Sequence, residues 1–118
     1  MLNEVLKVYQ ERLQVFADER DWNQFHSIKN LTMSLGIECS ELMEHFQWVN
    51  TSYKKEDLSD LKQVEVEDEL VDILIYWLKI ADKLDMNIED SFERKFKKNQ
   101  EKYPIEKAKG SFKKYTEY

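Results

Sequence analysis

The chain is poor in residues that turn a backbone. It has two glycines and one proline in 118 residues. So few turn-formers favour long helices over many short strands. Its single cysteine, Cys39, rules out an internal disulfide framework and fits a reducing cytoplasm. No apolar run approaches the ~20 residues of a membrane-spanning helix. The opening MLNEVLKVYQERLQ is amphipathic and charged, so neither a span nor a signal peptide is expected. A Gly-rich phosphate loop of the form G-x-x-x-x-G-K-[ST] is missing, which excludes a P-loop enzyme. No Cys/His set has zinc spacing, and no Ser-His-Asp arrangement stands out.

Hydrophobic residues make up 42% of the chain, with three Trp, six Tyr and six Phe, which is a globular composition. The length suits one domain over 1–118. The net charge of −6 hides an asymmetry. Residues 1–90 carry 9 Lys/Arg against 20 Asp/Glu, whereas residues 91–118 carry 9 against 4. An acidic body argues against binding a nucleic-acid polymer. The basic tail, 105–118, suits either a phosphorylated small molecule or a resting place on that acidic body.

Apolar spacing predicts four helices, at 3–19, 28–49, 60–84 and 88–103. Val5, Val8, Tyr9, Leu13 and Phe16 mark the first. The connector ERDWNQFHSIKN lacks periodicity, and its Trp22 and Phe25 suit plugs for the end of a bundle. Leu31, Leu35, Leu42, Phe46 and Val49 form the seam of the second helix. Cys39 reads as a small core residue and His45 as a surface histidine. Residues 50–60 form the connection: Asn50, Thr51 and Ser52 suit a helix end, Leu58 a short helical turn, and Ser59 or Asp60 an N-cap. The third helix is apolar on nearly every side from Leu70 to Ala81. A helix apolar all round must be covered all round, and so short a chain can hardly do that alone. A homo-oligomer, most simply a two-fold dimer, is therefore expected. Asn87 suits an N-cap for the fourth helix, Phe92 and Phe96 its buried side, and Pro104 its end. A turn is expected at Gly110-Ser111.

Two acidic pairs stand out against this apolar frame. They are Glu38-Cys39-Ser40-Glu41 and Glu69-Leu70-Val71-Asp72, each with i, i+3 spacing that puts both carboxylates on one helix face. Glu38 lies on the apolar seam itself, and Glu44 continues its row. Asp72 falls inside the greasiest stretch of the third helix, on a polar stripe with Glu65, Glu69 and Tyr76. Carboxylates on core-facing stripes are costly unless neutralised. If the two helices pack side by side, four carboxylates converge, and the usual remedy is a hard divalent cation, Mg²⁺ or Mn²⁺. Lys95, Asn99 and Lys102 line a separate stripe on the fourth helix, suited to an anion. Carboxylates, a divalent cation and lysines together fit polyphosphate chemistry.

The pattern E-x-x-E, an intervening segment, then E-x-x-D resembles the signature of the MazG-like all-α nucleoside triphosphate pyrophosphohydrolases, nearest the dCTP pyrophosphatase branch. The resemblance covers residues 16–118 and is carried by FADERDWNQFHSIKNL, IECSELMEHFQW, EDELVDILIYWL, KNQEKYP and KAKGSFKKYTE. It implies an all-α four-to-five-helix bundle completed by oligomerisation, as a homodimer or homotetramer. It also implies cleavage of a nucleoside triphosphate to a monophosphate and pyrophosphate, a cytoplasmic house-cleaning of the nucleotide pool. By the same resemblance Glu38, Glu41, Glu69 and Asp72 are the Mg²⁺ ligands, and one of the glutamates positions or deprotonates the attacking water. Trp22, His26 and Trp48 would line the base and sugar pocket, Tyr76 would lie near the sugar, and Lys95, Asn99 and Lys102 would approach the phosphates. Ile37 stands where relatives often carry glycine. The alternatives are a dUTPase-like or phosphoribosyl-ATP-type hydrolase sharing the metal carboxylates, and a non-catalytic helical interaction module.

Overall fold

The computed structural model describes residues 1–50 and 54–118. Thr51 and Ser52, expected to end the second helix, lie outside the described residues. Among the described residues the protein is all-α, with five α-helices and three short 3₁₀ turns. The helices are α1 (Leu2–Glu19), α2 (Ile28–Glu44), α3 (Asp60–Lys83), α4 (Ile88–Lys102) and α5 (Ile105–Ala108). None of them is long and apolar enough to cross a membrane. The chain divides into two compact units, Met1–Asp85 and Met86–Tyr118.

In the first unit α3 is the central helix, with α1 and α2 packed along it. Its core is small: Ala17, Leu31, Leu78 and Ala81 are fully buried. The Gln10 amide donates to the Leu78 carbonyl at 3.0 Å, tying α1 to α3. Glycine is scarce, and aspartate takes its place at two helix ends. Asp21 and Asp85 adopt positive φ, 54° and 49°, a conformation that Asp tolerates better than most residues. After α1 the Trp22 amide reaches back to the Ala17 carbonyl and the Asp21 amide to that of Asp18. This is a Schellman ending, and it sets the position of Trp22. Ser27 caps α2 by accepting from the Asn30 amide, and Ser59 caps α3 by accepting from that of Lys62. Each cap satisfies one of the donors that a helix start leaves open.

Four expectations are corrected. The second helix ends at Glu44, not 49, because residues 45–49 close tighter i to i−3 bonds, such as His45 to Leu42 and Phe46 to Met43. Cys39 is exposed, not a core residue; one position past Glu38 turns it ~100° away from the α3-facing side. Trp22 and Phe25 are exposed at 43% and 59%, flanking and ending a short 3₁₀ turn, Asn23–Phe25, that buries none of its residues. On α4, Phe92 and Phe96 are exposed and stacked on one another at 5.6 Å.

The apolar excess of α3 shows at the surface. Leu70, Val71, Leu74 and Trp77 are exposed, and with Tyr9 and Phe16 of α1, Val71 and Leu74 line an apolar groove of about 470 Å³. In the second unit Asn87 caps α4 through the Asp90 amide, as expected. Pro104 opens α5, Gly110 takes φ 77°, and the Ser111 amide closes a turn on Ala108. Tyr103 packs edge-on against Tyr115 and Tyr118, 6.1 and 6.2 Å between centroids.

Candidate functional site

Helices α2 and α3 run antiparallel. His45, just past the end of α2, meets Glu65 and Glu69 near the start of α3, while Leu31 shares a cavity with Lys79 and Lys83 near its end. That pairing brings the two acidic motifs face to face. One carboxylate oxygen from each of Glu38, Glu41 and Glu69 lies within 4.8 Å of the others. Asp72 lies outside this triplet, yet its charge acts on Glu38. Glu44 is exposed and lines a surface depression with Ser40, Met43 and Gln47.

Three like charges this close repel by roughly 3 kcal/mol per pair at an effective dielectric near 20. The strain appears on Glu38. Burial, then the hydrogen bond that the protonated Glu38 donates to Glu41 and the charge of Glu41, then the charges of Asp72 and Glu69, push its carboxyl up from 4.5 to about 7. Two buried oxygens in the cluster, Glu38 Oε2 and Glu69 Oε2, have no hydrogen-bond partner among the described residues. A buried acceptor left open is costly, and hard oxygen donors on three converging carboxylates fit a divalent cation of the Mg²⁺ or Mn²⁺ type.

A polar cavity of about 110 Å³ lies between α1, the Trp22–His26 connector and the far end of α3; Gln10, Gln14, Asn23, His26, Lys79 and Lys83 line it. The Trp22 ring packs edge-on against His26 at 6.1 Å and Phe16 at 5.7 Å. His26 Nδ1 is 3.5 Å from Lys79 Nζ. Burial, aided by the charges of Lys79 and Lys83, lowers the pKa of His26, and burial lowers that of Lys79. Two of the expected pocket residues, Trp22 and His26, are therefore together. Trp48 stands 86% exposed beyond the end of α2, and Tyr76 is half-buried on α3. Lys95, Asn99 and Lys102 lie on α4 in the second unit, where Lys102 Nζ sits 4.9 Å above the Tyr115 ring.

His45, expected at the surface, is turned into the α2–α3 seam, its side chain 19% exposed beside Glu65 and Glu69. The signal was present in its spacing: it falls four residues after Glu41 and seven after Glu38, on their stripe.

The profile of the MazG-like family matches residues 33–118, which include both acidic motifs. The chain belongs to the MazG-like family. Among its relatives, mouse (Mus musculus) dCTP pyrophosphatase 1 is 35% identical over 103 residues, 86% of this chain and 61% of that protein. Human (Homo sapiens) dCTP pyrophosphatase 1 is 36% identical over the same shares. This MazG-like chain thus spans about three-fifths of the length of those relatives. A pyrophosphatase from Archaeoglobus fulgidus, known from its crystal structure, is 38% identical. It superposes with a TM-score of 0.73 over 87% of this chain and 92% of its own.

Proposed function

We propose that this MazG-like chain is a Mg²⁺-dependent nucleoside triphosphate pyrophosphohydrolase that releases a monophosphate and pyrophosphate. The observation that carries the proposal is the convergence of Glu38, Glu41 and Glu69 across the α2–α3 seam, with two buried oxygens left without a partner. Membership of the family and likeness to the proteins named as pyrophosphatases support the reaction class. In this reading Asp72 completes the ligand set. A divalent cation bound there neutralises and polarises phosphate oxygens. The glutamates hold that charge, and Trp22, His26, Trp48 and Tyr76 take the base and sugar. Lys95, Asn99 and Lys102 take the phosphates, with the whole of 1–118 acting as one domain. The proposed substrate is dCTP or a modified pyrimidine nucleotide, since the relatives at 35–36% identity are named for dCTP. The exposed apolar groove of α1 and α3 supports a homodimer or homotetramer, and the single cysteine supports a cytoplasmic enzyme.

The test is a panel of canonical and modified nucleoside triphosphates with Mg²⁺, with pyrophosphate and orthophosphate assayed separately. Pyrophosphate and a pyrimidine deoxynucleoside monophosphate in equal amounts are expected. Orthophosphate alone would place the scissile bond elsewhere, and no product from any nucleotide would leave a helical interaction module.

A further inference from the structure

We infer that His45 is a positioning residue that sets which oxygen of Glu69 is free for a cation, an inference that rests on the carboxylate cluster as a cation site. Three α3 side chains one turn apart in succession, Lys62, Glu65 and Glu69, meet the His45 ring. Lys62 Nζ lies 3.1 Å from His45 Nδ1 and 3.2 Å from Glu65 Oε2. His45 Nε2 lies 3.4 Å from Glu69 Oε1. Glu65 Oε2 is 3.7 Å from Nδ1, beyond hydrogen-bond reach.

These contacts assign the tautomer. An ammonium group only donates, so Nδ1 facing Lys62 must accept. The ring proton then sits on Nε2, which donates to Glu69 Oε1. Lys62, anchored on Glu65, thus decides the polarity of the contact between His45 and Glu69. With Oε1 engaged, the oxygen of Glu69 left over is Oε2, the one that is buried and without a partner. A half-turn of the carboxylate would exchange the two oxygens, and the hydrogen bond from Nε2 opposes it. The same arrangement separates Glu65 from Glu69, a like-charged i, i+4 pair. Lys62 and His45 turn that pair into a support for one member of the cluster. Loss of an outer group that orients a ligating side chain in this way typically costs about 10- to 100-fold in metal affinity.

The experiment measures binding of Mn²⁺ alone to the full chain at pH 8, by the electron paramagnetic resonance signal of free Mn²⁺, with melting temperature in EDTA as the folding control. His45→Phe keeps a ring and loses the donor; it is expected to weaken Mn²⁺ binding about tenfold or more. His45→Gln restores a terminal N–H donor and is expected to recover most of that loss, which a purely structural role of the ring would not predict. Lys62→Met frees the tautomer and is expected to give an intermediate loss. Wild-type affinity in the Phe variant, or an equal loss in the Gln variant, would overturn the inference. Should the Phe variant fail to fold, unchanged affinity in Lys62→Met would do so. A wild type that binds no Mn²⁺ overturns it as well. Mn²⁺ binding that depends on His45 in a protein that cleaves no nucleotide would leave this inference standing and remove the proposed function. A protein that cleaves nucleotides with a His45→Phe variant of normal affinity would do the reverse.

Discussion

Glu38 offers a test in which removing a charge strengthens the cation-free protein. Its carboxyl is pushed up from 4.5 to about 7 by burial and its acidic neighbours. Between those two values the native state holds a proton that the unfolded chain has released. Stability of the cation-free protein therefore falls as pH rises through this window. At about 1.4 kcal/mol per unit the shift corresponds to a ceiling near 3 kcal/mol. Glu38 is partly exposed, and solvent screening reduces the effect to about 1–2 kcal/mol. Glu38→Gln keeps the shape and removes the charge. In EDTA at pH 8 the variant should be more stable than wild type by about 1–2 kcal/mol, or about 5 °C in melting temperature for a chain of this size. At pH 5, where Glu38 is protonated in the native protein, the difference should shrink towards zero. Adding Mg²⁺ to about a hundred times its dissociation constant should stabilise wild type by about 2.7 kcal/mol, and Glu38→Gln much less, so the order inverts. Urea unfolding at both pH values, with EDTA and then with Mg²⁺, measures all four quantities. A variant no more stable than wild type at pH 8 in EDTA, or equally stabilised at pH 5, would refute the crowded-carboxylate argument.

Two further predictions concern the first unit. His26 is held below its ordinary pKa by burial and by Lys79 and Lys83. The unfolded chain therefore takes up a proton before the native state does, and stability is lost as pH falls through about 6.5. His26→Gln should flatten that acid limb relative to wild type; identical slopes in thermal melts between pH 7 and pH 5 would count against the depressed imidazole. Ser59 caps the helix that carries Glu69 and Asp72, accepting from the Lys62 amide at 3.1 Å. Ser59→Ala should cost about 1 kcal/mol in urea unfolding, and no loss would mean that the cap contributes nothing.

The helical fold was legible because Gly and Pro are rare and apolar residues recur at helical spacing. The third helix was found with nearly its observed ends, since the Ser59 cap and the turn at Asp85 bracket a continuous apolar run. The acidic pairs were legible for the same reason: i, i+3 spacing on an apolar face determines which side chains point together, whatever the partner helix. Whether the pairs meet depends on how two helices pack. Only the antiparallel register of α2 against α3 decided that Glu38, Glu41 and Glu69 form the tight set while Asp72 stands just outside it. Position 39 shows the limit of local pattern. An apolar neighbour in sequence reads as core, but burial is a property of what packs opposite, and Cys39 is exposed. His45 shows the other limit. Its spacing placed it on the stripe of Glu38 and Glu41, yet its environment is made by Lys62, Glu65 and Glu69 of another helix. Sequence by itself determined the helices and the faces that bear charge, because both follow from short-range periodicity. Tertiary structure decided which charges meet and which oxygens remain without a partner, because those depend on contacts between segments far apart in the chain.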